Sequence, residues 1–380
     1  MSQANQSAHH SSLITHYSLA FRIGVVTALL LTIFSIAVYL RFDGDILVFV
    51  NIGERFNLGI PDGRAGGEGQ FPYYIATEGA SLSAISKMDP PAAYRYQRIL
   101  YPALVAALSF GQTALVPYVM LLINIAATSI FTALTAYLLA WRTRVIPWLA
   151  LLVAVWMGSL ICVRYNTTEP LALALSMAAL VFYLRDHLAA AAVLAASAAL
   201  TKDIGLVPIA GMVLHALWTR RWQRAAILAL AAGVPYMGWS LLLRLWLQTG
   251  IDATQAHRQV SLIPFAGLLR SYSPVFLVLG ILWAILPAAL LGIIALRQCW
   301  RSRFQRDLPI ELFLLLSAAA FVILVPGGTF EDLPSTLRYS QPFVIAALLY
   351  VSYRNPRRAL WLLILWLPTT ALALAISFIR

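Results

Sequence analysis

Apolar positions along this chain fall in long unbroken runs, not in the alternation of a half-buried strand or the three-to-four spacing of a surface helix. The runs cover residues 19–40, 115–140, 146–163, 169–184, 188–201, 204–219, 225–247, 274–296, 310–325, 341–353 and 359–379. A hydrocarbon core of about 30 Å is crossed by a helix of ~20 apolar residues rising ~1.5 Å each. The pattern therefore predicts an all-α polytopic membrane protein, a bundle of about eleven transmembrane helices. The run at 188–201, LAAAAVLAASAALT, is short for a span and suits a place surrounded by other helices. Ile99 to Phe110 is apolar too, but as a further span it would reverse every later segment, so it is read as a short helix on the outer membrane face. Residues 1–18, rich in Ser, His and Gln, are expected as a disordered cytoplasmic tail, and 19–380 as a single transmembrane domain. The first run is too long for a signal-peptide core and lacks a small-residue cleavage site, so it is expected to stay as an anchor.

Composition agrees with the pattern. Of 380 residues, 61% are hydrophobic and 11% charged, whereas about a quarter are charged in soluble domains. The net charge of +12 would suggest nucleic acid in a soluble protein. Here the arginines gather between apolar runs, which is the positive-inside pattern, and no nucleic acid is expected as a partner. The clusters are Arg142 with Arg144, Arg185, Arg220 with Arg221 and Arg224, Arg297 to Arg306, and Arg354 with Arg357 and Arg358. All can be cytoplasmic at once if the N-terminus is inside, as expected for a multi-pass protein of a bacterial inner membrane. Cys162 and Cys299 then fall on opposite faces and cannot pair, and no zinc spacing occurs.

This threading leaves outside a long first loop, 41–114, carrying short interfacial helices, and the segments RYNTTEP, TKD, 248–273 and PGGTFEDLPSTLRYSQP. Acids concentrate there: Asp43, Asp45, Glu54, Asp62, Glu68, Glu78 and Asp89, then Glu169, Asp203, Glu331 and Asp332. Asp43 and Asp45 stand where the first helix leaves the membrane. Glu68 lies in GGEGQFPYYIATEG among Gly66, Gly67 and Gly69, and glycine lets a backbone turn freely and approach a ligand closely. A carboxylate at the rim of an apolar cavity can serve as a general base, because reduced solvation raises its pKa. Each acid reads equally as a solvated loop side chain, and Phe71, Tyr73 and Tyr74 as an interfacial aromatic belt. There is no Gly-rich nucleotide-binding loop, no His-Glu-x-x-His and no nucleophile elbow.

EGQFPYYIA followed by DPPAAYRYQRILYP resembles the first-loop pattern of a family of bacterial polytopic membrane proteins. In that family Asp-Gly-Gln-Phe-Tyr-Tyr-x-Ile-Ala precedes Ala-Tyr-Arg-Tyr-Gln-Arg-Ile-Leu-Tyr-Pro. The family in turn resembles the C-type glycosyltransferase (GT-C) superfamily, including the mannosyltransferases of the GPI pathway. The second element matches closely over Ala93 to Pro102; in the first, Glu68 replaces the Asp and Pro72 interrupts the aromatic run. Weaker echoes are NTTEPLALAL, LTKDIGLVPIAG and LRYSQPF.

The resemblance implies a GT-C-like bundle with its site on the outer, periplasmic face. It implies a hexosyltransferase that moves a sugar from a polyprenyl-phosphate carrier to a glycan, lipid or protein acceptor, with inversion, in contact with membrane lipids. Carried onto this sequence, Glu68 or Asp43 is the general base, with Asp45 assisting. Arg338, Lys202 and Arg98 hold the donor phosphate, a task suited to planar, bidentate arginine. Gln70, Tyr73, Tyr74, Arg95, Tyr96 and Glu169 shape the pocket. Metal dependence varies in the superfamily, so a divalent ion, Mg or Mn, is compatible, and no ligand set stands out. Plainer roles exist for several of these residues. Arg338 can anchor a headgroup, Lys202 can pair with Asp203 at a helix start, Glu169 before Pro170 can simply begin a helix, and Arg95 and Arg98 can snorkel. Two other readings share the pattern: a lipid or sugar transporter or flippase, which needs paired charges inside the spans, and a GT-C-like scaffold without catalysis.

Overall fold

The computed structural model describes residues 3–89, 92–247, 273–324 and 332–379. Arg258 and Arg270 of the expected outer loop, and Glu331, lie outside the described residues. No strand occurs among the described residues, and every apolar run read as a span is helical. Among the described residues five helices are long and apolar enough to cross a membrane: Thr15–Arg41, Thr113–Arg142, Trp222–Leu247, Pro274–Arg301 and Pro356–Ser377. The pair Pro147–Val155 and Met157–Arg164, bent by 53°, makes a sixth if counted as one span.

The remaining apolar helices, Glu169–Leu184, Leu188–Thr201, Asp203–Trp218 and Ile310–Leu324, are 10–17 residues long, and Gln341–Arg354 has 14 residues. The eleven expected segments therefore exist as helices, while full spanning length belongs to five or six of them. Two of the short ones are packed among neighbours: most side chains of Ile310–Leu324 and Gln341–Arg354 are buried. A helix sheathed in protein is free of the length that lipid imposes.

The first helix runs Gln3–Arg41, and its apolar part of membrane length is Thr15–Arg41. No proline or glycine interrupts residues 3–23, and extending an existing helix is far cheaper than nucleating one. Leu100–Leu108, nine residues and so about 14 Å, is too short to span, as its reading as a surface helix requires.

Small residues set the close crossings. A Cβ on Gly24 would lie 3.1 Å from Ala133, and one on Gly292 3.2 Å from Ala319. Ala191, Ala195 and Ala198, spaced along one face of Leu188–Thr201, are fully buried. The bent pair breaks at Trp156, whose indole donates to the Leu337 carbonyl at 3.0 Å. A Cβ on the adjacent Gly158 would lie under 3.0 Å from that same carbonyl oxygen. The run read as one span over 146–163 is thus interrupted to admit the short helix Leu333–Tyr339. Irregular backbone at this depth is tolerable because protein encloses it.

Side-chain contacts separate the helix ends into two groups. Arg142 pairs with Glu311, Arg185 bonds Tyr137 and lies over the Tyr17 ring, Arg224 pairs with Asp186, and Arg354 bonds Gln298. These contacts gather the arginine-rich loops at one end of the bundle, together with the start of the first span. The other end holds Glu68, Arg95, Arg98, Glu169, Lys202 and Arg338.

Candidate functional site

The site begins with a loop squeezed between two others. Gly66 has φ +76°, and a Cβ there would lie under 3.0 Å from Gly53 N and Asn51 O. A Cβ on Gly69 would lie under 3.0 Å from Tyr165 O, a backbone atom that cannot give way. The glycines around Glu68 therefore serve close packing. Gln70 staples the loop: its buried amide accepts from Gly53 N at 3.1 Å and donates to Ala65 O at 2.7 Å and Gly67 O at 2.9 Å. Phe71, Pro72, Tyr74 and Ile75 anchor the following helix, Gln70–Glu78, by burial.

On this support Glu68 meets four cations. Its Oε2 lies 3.0 Å from Arg338 Nη2, 3.3 Å from Lys202 Nζ and 3.4 Å from Arg98 Nη1, and its Oε1 lies 3.5 Å from Arg95 Nη1. Glu169, fully buried at the start of Glu169–Leu184, accepts from Lys202 at 2.6 Å and faces Arg338 Nε at 2.9 Å. Two carboxylates thus share Lys202 and Arg338. Asp89 takes Arg95 at 3.0 Å, and the Tyr94 hydroxyl takes Arg98 at 2.7 Å. The Arg95 guanidinium also stacks 3.9 Å from the Phe71 ring centroid, and Lys202 Nζ lies 5.0 Å from that of Tyr339.

The four cations arrive from three local devices. Arg95 and Arg98 sit at and just after the turn Ala92–Tyr96. Lys202 occupies the extended residue that ends Leu188–Thr201, at φ −168°. Arg338 rides on Leu333–Tyr339, whose N-terminus is capped by Asp332 through Ser335 N at 2.6 Å. Glu169 follows a left-handed turn at Asn166, φ 46°, a conformation that asparagine adopts more readily than most residues.

Electrostatics corrects the expected behaviour of Glu68. Burial alone would raise its pKa, but Arg338, Lys202, Arg98 and Arg95 together hold the carboxyl well below its ordinary range. As arranged, Glu68 is an ion-paired anion and a weak proton acceptor.

A narrow cleft of about 10 Å³, room for roughly one water, lies beside the cluster, lined by Glu68, Phe71, Ile75, Arg95, Arg98 and Thr168 among others. Arg95 Nε, Thr168 Oγ1 and Glu169 Oε2 are buried there or next to it without a hydrogen-bond partner. Buried polar atoms rarely stay unpaired, so these mark a place for a polar ligand or water.

The expected site residues divide into three groups. Glu68, Arg95, Arg98, Glu169, Lys202 and Arg338 come together. Of the plainer roles, Glu169 does begin a helix before Pro170, while Lys202 pairs with Glu169 and Glu68 rather than with Asp203, which caps Ile204 N at 3.0 Å, and Arg95 and Arg98 are buried rather than snorkelling. Gln70, Tyr74 and Tyr96 support the site from behind. Tyr96 donates to Gly79 O at 2.6 Å and packs edge-on to Trp246, and Tyr74 is buried beside Tyr73. The third group stands where the first helix ends: Asp45 caps Ile46–Phe49 through Leu47 N at 2.8 Å, and Asp43 is exposed at φ 59°.

Sequence reasoning missed Tyr94, Tyr339, Asp89 and Thr168. Tyr94 carried a signal of position, four residues before Arg98 and so within reach along a helical turn, and Asp89 was legible only as one of the outer-loop acids. Asn166, in a match to a glycosylation sequon, is fully buried and closed to modification in the folded chain.

The site does not fit Mg or Mn. Among the described residues no group of three or more His, Cys, Asp or Glu side chains converges, and Glu68 and Glu169 already face cations that would repel a divalent ion. Comparison of the chain with protein-family models, with curated proteins and with solved structures finds no match.

Proposed function

We propose that this protein is a membrane-embedded glycosyltransferase that moves one sugar from a polyprenyl-phosphate carrier to an acceptor on the outer face, with inversion. The observation that carries the reading is the convergence of Arg95, Arg98, Lys202 and Arg338 at the end of the bundle opposite its arginine-rich loops. On this reading that end faces the periplasm, the N-terminus is cytoplasmic, and the short helices complete a GT-C-like bundle of about eleven passes. A lipid-borne phosphate then reaches the cations from the membrane rim, and three guanidinium groups match its oxygens. As the sugar's bond to the phosphate breaks, the cations stabilise the negative charge that gathers on the leaving phosphate. The acceptor hydroxyl, attacking from the opposite side of the anomeric carbon, loses its proton to a first-loop carboxylate. Glu68 is the first-loop carboxylate that meets all four cations, and Asp43 with Asp45 are the alternatives in the same loop.

The test is release of free polyprenyl phosphate by purified protein from a panel of polyprenyl-phosphate sugars, each supplied with a range of acceptors. Wild-type turnover that Arg338→Gln abolishes supports the reading. Turnover unaffected by Arg338→Gln, or absent with every donor, refutes it.

One observation favours a transporter instead. Asn124, Thr128 and Thr132, each four residues after the last along Val116–Arg142, are buried with side-chain oxygens lacking hydrogen-bond partners. Protein in vesicles that translocates a carrier lipid without consuming it would decide for that reading.

A further inference from the structure

The two carboxylates of the cluster are held differently. Glu169 is fully enclosed, with Lys202 at 2.6 Å and Arg338 at 2.9 Å, the distances of close charge-assisted hydrogen bonds. Glu68 keeps 25% of its side chain exposed and meets Lys202, Arg98 and Arg95 only at 3.3, 3.4 and 3.5 Å. These separations exceed the ~2.7–2.9 Å of a close N–H to carboxylate contact. The four nitrogens therefore surround a space wider than a carboxylate fills, and one Glu68 oxygen is shared among Arg98, Lys202 and Arg338. A tetrahedral phosphate, with more oxygens spread further apart, suits that arrangement better.

The neighbouring backbone limits how Glu68 could leave. Gln70 pins residues 65–67 and Gly69 abuts Tyr165, so the loop cannot swing as a unit. The side chain can turn about its own torsions between staggered positions, toward the solvent that already reaches a quarter of it.

We propose that Glu68 is an internal place-holder for a phosphate group: its carboxylate occupies the seat formed by Arg95, Arg98, Lys202 and Arg338, and an entering phosphate displaces it. The inference rests on the reading of this cluster as a phosphate site. It also resolves a conflict within that reading, since an acid tied to four cations is a poor base. Once a donor phosphate takes the cations, Glu68 is freed beside it and becomes able to accept the acceptor's proton. The base is then armed only when the donor is in place.

Binding of inorganic pyrophosphate and of a long-chain polyprenyl phosphate to the purified full chain in detergent, by calorimetry, tests this. Glu68→Gln removes the competing charge at nearly constant size and should tighten binding of both by about tenfold or more, equivalent to ~1.4 kcal/mol. Glu68→Ala should tighten it likewise, which guards against a folding defect peculiar to one substitution. Arg338→Gln should weaken binding. Unchanged or weaker binding in both Glu68 variants, with wild-type binding intact, overturns the place-holder and leaves the phosphate site standing. Binding of neither ligand to wild type or to the Glu68 variants removes the phosphate site and the place-holder together.

Discussion

Replacing Lys202 with Met would isolate the energetics of the buried charges. Met keeps much of the length and the apolar stem while removing the ammonium. It would leave Glu169, whose side chain is 0% exposed, with Arg338 Nε at 2.9 Å as its remaining partner. Breaking one side of a buried ion pair costs about 3–5 kcal/mol, because the orphaned charge stays desolvated. The retained Arg338 contact places the expected loss near the lower end, about 3 kcal/mol. Adding Glu169→Gln should return part of that loss, since the stranded negative charge is gone, giving a coupling of about 1–2 kcal/mol within a double-mutant cycle. Equilibrium unfolding of the four proteins in one mild detergent measures each corner. A loss below about 1 kcal/mol for Lys202→Met, or effects that add to within ~0.5 kcal/mol, would refute the claim that these charges depend on one another.

Three further outcomes follow from the same geometry. The folded pKa of Glu68 lies below its unfolded value, the net of burial, which raises it, and Arg338, Lys202, Arg98 and Arg95, which lower it further. Its stabilisation is therefore complete above the ordinary carboxylate pKa of about 4.3 and is lost as pH falls through the lower folded value. The melting temperature of wild type should accordingly drop more steeply than that of Glu68→Gln as pH is lowered below about 4, and the two should run parallel above about 5. Gly69→Ala would press its Cβ into the Tyr165 carbonyl and should cost more than about 2 kcal/mol, whereas Gly233→Ala, with nothing within 4 Å of its Cβ, should be neutral or stabilising by up to ~1 kcal/mol in thermal unfolding. Gln70→Leu removes three hydrogen bonds and should cost about 2 kcal/mol, with a matching loss of phosphate binding because Glu68 and its loop lose their support.

The alternative roles of the loop acids separate once their packing is known. Asp43, Asp45 and Glu68 read alike in sequence: each is an acid in a glycine-containing stretch of the first loop. Asp45 bonds the amide of Leu47, two residues on, a local event any short capped turn can produce. Glu68 meets groups as distant in the chain as Lys202 and Arg338. Local pattern carries no information about such pairings.

Hydrophobic run length by itself determined where the helices lie, because each backbone group in a bilayer must be satisfied within its own helix and only apolar side chains tolerate lipid. Ile310–Leu324 and Gln341–Arg354 fall almost where the apolar runs end. The arginines between runs likewise marked a common end of the bundle. Tertiary structure alone decided that the run through Trp156 is broken, where its indole meets Leu337. It also decided the character of the site. A carboxylate near an apolar rim has a raised pKa if it stands alone and a lowered one if cations close around it, and which holds depends on four side chains from three separate segments. Coulomb attraction acts through space over a few ångströms, so its sign at Glu68 was fixed only when folding brought those segments together.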